Sequence, residues 1–144
     1  MKIGLFTPLR SPVATPEFLR EFGQKAESMG IHSFWLGEHI VLFDNYESKY
    51  PGNPDGVFRF PDGSGLMDMV SSIGFLAACT STLRLGTGIC ILPQNNPVYA
   101  AKEYATLDFL SNGRLDFGVG VGWSWEEFEA CGAPWENRGK RCDE

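Results

Sequence analysis

Four short apolar segments, beginning at residues 2, 33, 83 and 115, constrain this chain more than any other feature. The first three each lead into a helical pattern, and the intervals between starts are 31, 50 and 32 residues. The excess in the middle interval is about the length of an irregular stretch from Phe43 to Gly65, so the repeating unit is one strand and one helix. Alternation of this kind implies right-handed crossovers and a parallel sheet, with every strand's carboxyl end on one face. Parallel α/β folds bind their ligands at that face.

Local chemistry marks the elements. Lys2 to Thr7 reads as the first strand, closed by Pro8, and Thr15-Pro16-Glu17 supplies a cap, a first-turn proline and a first-turn acid. Phe18, Phe22, Ala26 and Met29 then recur at helical spacing as far as Gly30. Ser33 to Gly37 is the second strand. A second helix runs from Leu66 to Ser81 on Val70, Ile73, Leu76 and Ala77, and the third strand from Leu83 to Ile91. The segment Pro93 to Pro97 opens a third helix whose buried stripe is expected to include Val98, Ala101, Ala105 and Phe109. Asn112-Gly113 stops it, and Arg114 to Val119 is the fourth strand.

An open doubly wound sheet usually carries G-x-G-x-x-G in its first strand-to-helix turn. Here that turn reads Thr7 to Pro12 with no glycine, and the cluster Gly118, Gly120 and Gly122 comes only after the fourth strand, with Trp123 where a third fingerprint glycine would stand. A (β/α)8 barrel needs about 250 residues. The expected fold is therefore α/β, the N-terminal half of a (β/α)8 TIM barrel with outer helices. Residues 1–144 are expected to be a single partial domain of four βα units, with the C-terminal half absent. Alone, such a half exposes sheet edges and inner-layer side chains, and marginal stability is expected of it.

A net charge of -6 with scattered acids excludes the electrostatic footprint of a nucleic-acid binder. No leader pattern and no apolar run of about 20 residues is present, so no membrane partner and a cytoplasmic location are expected. Cys79, Cys90, Cys131 and Cys142 lack C-x-x-C spacing and read as free structural thiols, with no metal site.

His39 follows the second strand at the ligand face, where an imidazole serves as base, acid or hydrogen-bond partner near neutral pH. It is the catalytic candidate. Glu38 beside it orients it, binds substrate, or is a rim carboxylate. Gln94, Asn95 and Asn96 bring amides that both donate and accept hydrogen bonds at the ligand face, and Asn95-Asn96-Pro97 is also ordinary helix-start chemistry, with Asn96 as the cap. Gly118, Gly120 and Gly122 either admit a ring or substrate close to the backbone or let the strand bend. Trp123 and Trp125 are candidate walls of a substrate cavity. Asp108 and Arg114 read as a structural tie at the opposite face, and Arg138, Lys140 and Arg141 as a solvated helix start.

Four segments carry a resemblance: Phe34-Trp-Leu-Gly-Glu-His39; Leu83 to Ile89 with Leu92 to Pro97; Ala101 to Asp108 with Leu110 to Arg114; and Gly118 to Trp123 with Glu126-Glu-Phe128 and Arg138 to Arg141. In order and spacing the chain resembles the luciferase-like monooxygenase superfamily, within it the coenzyme F420-dependent oxidoreductases. The resemblance implies a non-prolyl cis peptide near Gly88-Ile89 behind the cofactor ring, His39 beside that ring, the Gln94 amide suited to the carbonyl and nitrogen edge of such a flavin-type ring with Gly120 near it, and F420-dependent hydride transfer to or from a small organic substrate. The length and position of the loop holding Tyr46, Tyr50, Phe58 and Phe60 point to a lid that closes over substrate with Trp123. FMN-dependent monooxygenation with molecular oxygen is the close alternative, and a non-catalytic barrel-half interaction module is the alternative of another class. A homodimer is implied for the full-length protein.

Overall fold

In the computed structural model, which describes residues 1–61 and 63–144, helix α1 (Pro16–Ser28) begins where Thr15 turns extended and its hydroxyl accepts the Phe18 N–H at 3.1 Å. Gly30, with φ +76°, ends the turn that follows. Asp68 caps helix α2 (Met69–Cys79) through the Ser71 N–H, and Asn96 caps α3 (Pro97–Leu110) through Val98 and Tyr99. The expected start of α2 at Leu66 is thus displaced to the first residue after a side chain able to cap it.

The strands are β1 (Gly4–Phe6), β2 (Ser33–Leu36), β3 (Arg84–Thr87), β4 (Cys90–Ile91), β5 (Leu115–Asp116) and β6 (Val119–Gly120). β1, β2, β3 and β5 pair in that order as one parallel sheet, while β4 and β6 form a short parallel pair beyond its carboxyl end. The third and fourth strands are therefore each broken, where the sequence pattern suggests continuous runs. Thr87 explains the break: its hydroxyl accepts the Gly118 N–H at 2.8 Å and donates to the Gly118 carbonyl at 2.7 Å, and that carbonyl also takes the Cys90 N–H at 2.9 Å. A side chain replaces a rung of the ladder. A Cβ on Gly118 would lie 2.4 Å from the Thr87 carbonyl oxygen, so the approach requires glycine.

One face of the sheet is sealed by the helices. Phe34 meets Phe22 of α1 at 5.3 Å between ring centroids, and Leu76, Ile73, Leu85 and Leu107 are buried in the same cluster. Trp35, pointing the other way as strand pleating demands, lays its indole across Gly86 and Gly4 and donates to the Ser33 hydroxyl at 2.9 Å. On α3 the buried residues are Ala100, Tyr104 and Leu107. The expected stripe of Val98, Ala101, Ala105 and Phe109 faces outward instead, with Val98 75% and Phe109 81% exposed. The helix is apolar on both sides, so periodicity alone does not choose its buried face.

At the amino end of the strands, Arg114 is 8% exposed and donates to the carbonyls of Ala77, Thr80, Leu83 and Ser111 and to the Thr80 hydroxyl. Asp108 accepts the Leu115 N–H at 3.4 Å. Both residues are remote from the carboxyl ends of the strands. Among the described residues no helix is long and apolar enough to cross a membrane.

Candidate active site

β2 ends at Leu36, and Gly37, Glu38 and His39 leave the sheet at its carboxyl end. His39 Nδ1 lies 3.0 Å from Oε2 of Glu127, a residue only 1% exposed in the short helix α4 (Trp125–Ala130). The other oxygen of Glu127 accepts the N–H groups of Ile40 at 2.5 Å and Val41 at 3.4 Å. Trp123 meets the imidazole edge-on at 5.8 Å, and Phe58 lies 5.0 Å away. Nε2 makes no hydrogen bond among the described residues.

The neighbouring Glu126 grips the same loop further along. Its Oε1 accepts the N–H groups of Glu47 and Ser48 at 2.6 and 2.9 Å, and the Ser48 hydroxyl takes the Trp125 N–H. Burial disfavours the charge, but the hydrogen bonds from Ser48 and Ser124 outweigh it and bring the Glu126 pKa down to about 2. Tyr46 ties the loop to itself, its hydroxyl bonding both the N–H and the carbonyl of Phe58. Tyr46, Tyr50 and Phe58 all pack on Trp123 at 5.2 to 5.6 Å. The aromatic loop and Trp123 thus form one cluster.

Of the three cavities that adjoin His39, two also meet Phe58, Phe60 and Trp123. One of about 350 Å³ spreads over Gly37, Gly88 and Ile89, with Phe6, Trp123 and the imidazole around it. The other, about 560 Å³, lies beneath the loop against Val41, Leu42, Tyr46 and Phe60. His39, Phe58, Phe60 and Trp123 border both. The peptide between Gly88 and Ile89 is cis, as is that between Ser11 and Pro12. At Gly37 a Cβ would come to 3.3 Å from the Phe6 ring and 3.6 Å from the Gly88 carbonyl oxygen, and at Gly88 to 3.2 Å from that ring. The two glycines make room for the Phe6 ring, and Phe6, Gly88 and Ile89 together give the cavity a mostly apolar wall, which fits a planar polycyclic ring.

Of the residues singled out in the sequence, the fold brings Glu38, His39, Gly88, Ile89 and Trp123 to the smaller cavity. Glu38 also reaches inward to accept the Ile91 N–H, and burial raises its pKa, helped by the nearby Glu127 and Asp68 charges against that hydrogen bond. Gly120 packs against Ile89, whose Cδ1 occupies the place of a Cβ. Gln94 is 8% exposed with both amide atoms unpartnered among the described residues, in the single 3-10 turn after β4. Neither Gly120 nor Gln94 is in the wall of either cavity. Asn95 donates to the Ile91 carbonyl. The two arginines of α5 (Arg138–Asp143) turn back on their own chain, while Lys140 is exposed: Arg138 stacks on Trp135 and Arg141 donates to the carbonyls of Glu136, Pro134 and Pro93. The four cysteines are free thiols, and burial pushes that of Cys90 up to about 12. Among the described residues no three His, Cys, Asp or Glu side chains gather as a metal site.

Glu127 lies in one of the segments that carry the resemblance, but the sequence assigns it no role at the site. Two acids after Ser124 look like ordinary first-turn charges on a helix. Only the fold shows that one of them is sealed against His39, 88 residues earlier in the chain.

A family model described as luciferase-like monooxygenase matches residues 1–144. An uncharacterized protein of Mycobacterium tuberculosis, Rv0940c, is 33% identical over 127 residues, covering 88% of this chain and 44% of that protein. Monooxygenase RslO1 of Streptomyces bottropensis superposes with a TM-score of 0.73 at 26% identity, over 99% of this chain and 40% of its own. A coenzyme F420 dependent tetrahydromethanopterin reductase from Methanopyrus kandleri superposes at 0.59 with 24% identity, over 94% of this chain and 30% of its own, a likeness of fold alone. The chain spans less than half the length of these proteins. It has the parallel-strand α/β architecture of the luciferase-like barrels and covers part of one.

Proposed function

The chain belongs to the luciferase-like monooxygenase family, and from that premise we propose that it carries the ring-binding face of a cytoplasmic deazaflavin-dependent oxidoreductase acting on a small organic substrate. The observation that carries the reading is the mostly apolar cavity bordered by Phe6, Gly37, Gly88 and Ile89 with the His39 imidazole in its wall. A deazaflavin bound there supplies a two-electron hydride carrier.

The chain's own residues do the rest. Phe6, Gly88 and Ile89 supply the apolar wall against which a ring would lie. His39 presents Nε2, which accepts or returns the one proton that accompanies a hydride transfer. Trp123, Tyr46, Tyr50 and Phe58 exclude water and hold substrate on the loop side, where the larger cavity offers room for it. Glu38 borders the same space while holding the Ile91 N–H. The outward apolar row of Val98, Ala101, Ala105 and Phe109 on α3 supports a homodimer contact for the full-length protein.

Equilibrium titration of the full-length protein with coenzyme F420 and with FMN, followed by cofactor fluorescence, tests the reading. Saturable, tighter binding of F420 is expected. Preference for FMN with substrate-dependent oxygen uptake would replace it by monooxygenation, and binding of neither cofactor would leave a non-catalytic interaction module.

A further inference from the structure

The bond between His39 and Glu127 decides which ring nitrogen faces the cavities. We infer that Glu127 is a positioning residue that holds the neutral His39 with its proton on Nδ1, leaving the Nε2 lone pair directed toward the reacting groups. The inference deepens the reading of His39 as the proton-handling group and rests on it for its catalytic meaning. The tautomer itself is a property of this chain.

Glu127 is gripped on both oxygens. Oε1 takes the backbone N–H groups of Ile40 and Val41, which can only donate, so that oxygen is committed as an acceptor. Oε2 is left for the imidazole at 3.0 Å, and a carboxylate, having no proton to give, accepts from Nδ1–H. The anchor is itself fixed: the Ser124 hydroxyl caps the helix by accepting the Glu127 N–H, and Phe128 beside it is fully buried. On the far side, Trp123 and Phe58 restrict the tilt of the ring. With Nδ1 occupied, Nε2 is the only ring atom able to take a proton, and His39 borders both cavities. The same carboxylate holds the start of the loop, so proton handling and loop placement share one side chain.

The test reads the tautomer without cofactor or substrate, in a two-bond proton–nitrogen correlation spectrum of the isotopically labelled imidazoles under conditions where they are neutral. The chain has two histidines, so His32→Gln assigns the His39 resonances by elimination. The parent is expected to show His39 protonated at Nδ1 and bare at Nε2. Finding the proton on Nε2 would overturn the inference, and this needs no change at Glu127. Glu127→Gln sharpens the test. The Ile40 and Val41 N–H groups retain the amide oxygen, which turns the amide NH2 toward Nδ1 and reverses the tautomer to Nε2–H. Unchanged Nδ1 protonation in a folded Glu127→Gln protein would also overturn it. Because no cofactor is present, failure here leaves cofactor binding standing, and failure to bind cofactor leaves the tautomer standing.

Discussion

Replacing Glu27 with glutamine removes one charge and nearly preserves side-chain shape. Its Oε1 accepts the N–H groups of Ser81 and Leu83, each at 2.8 Å, the N–H of Thr82, and the Thr82 hydroxyl at 2.9 Å. One carboxylate near the end of α1 thereby gathers the turn that leads into β3. Burial opposes its ionisation, but the hydrogen bonds from Thr82, Leu83 and Ser81 prevail and lower its pKa from 4.5 to about 2. At roughly 1.4 kcal/mol per unit the full shift corresponds to about 3 kcal/mol. The group is partly exposed, and solvent screening reduces the expected contribution to about 1–2 kcal/mol. Since the folded pKa is the lower one, this stabilisation is fully present above the ordinary carboxylate value of 4.5 and is lost as pH falls toward about 2. Denaturant unfolding of the parent and Glu27→Gln across that range is the assay. A gap of about 1–2 kcal/mol at neutral pH that closes by about pH 2 is expected. A gap that does not change with pH, or none at neutral pH, would refute the reasoning.

Gly118→Ala would drive a Cβ against the Thr87 carbonyl oxygen, 2.4 Å away, and should lower the unfolding free energy by about 1–3 kcal/mol in the same assay. Tyr46→Phe removes both hydrogen bonds to Phe58 while keeping the ring on Trp123. It should raise hydrogen exchange in the Phe43 to Gly65 loop and leave β1 to β3 unchanged; equal protection would mean that those bonds do not hold the loop. Cys90, with 0% exposure and a thiol pushed up to about 12, should resist a maleimide in the native protein while Cys79, Cys131 and Cys142 react. Labelling of Cys90 at the rate of the others would contradict its burial.

What was legible in the sequence was local or strictly periodic. Thr15 before Pro16 and Asn96 before Pro97 announce helix starts because capping uses only neighbouring groups, and both caps stand. The strand starts are legible because each apolar run is bounded by turn residues. The breaks at Gly88-Ile89 and Phe117-Gly118 are less so, since they depend on Thr87 reaching across to Gly118, 31 residues away. The buried side of α3 was also hidden: Val98 and Phe109 are as apolar as Tyr104 and Leu107, and only the packed neighbours decide between them. At the site, His39 and Trp123 are legible from where their strands end. Glu127 is not, because its chemistry comes from burial and a distant partner. Gly120 reads equally well as room for a ring, although here it makes room for Ile89.

The central claim is that the cavity over Gly37, Gly88 and Ile89 receives a planar cofactor ring. Gly37→Val places branched carbon against two parts of that cavity's wall, the Phe6 ring at 3.3 Å from a Cβ and the Gly88 carbonyl oxygen at 3.6 Å, and so disturbs the surface a ring would lie on. Titrating parent and variant full-length protein with coenzyme F420 tests the claim most directly. The account predicts saturable binding by the parent and an affinity at least about tenfold weaker in the variant, a loss of about 1.4 kcal/mol. Equal affinity in the two folded proteins would contradict it.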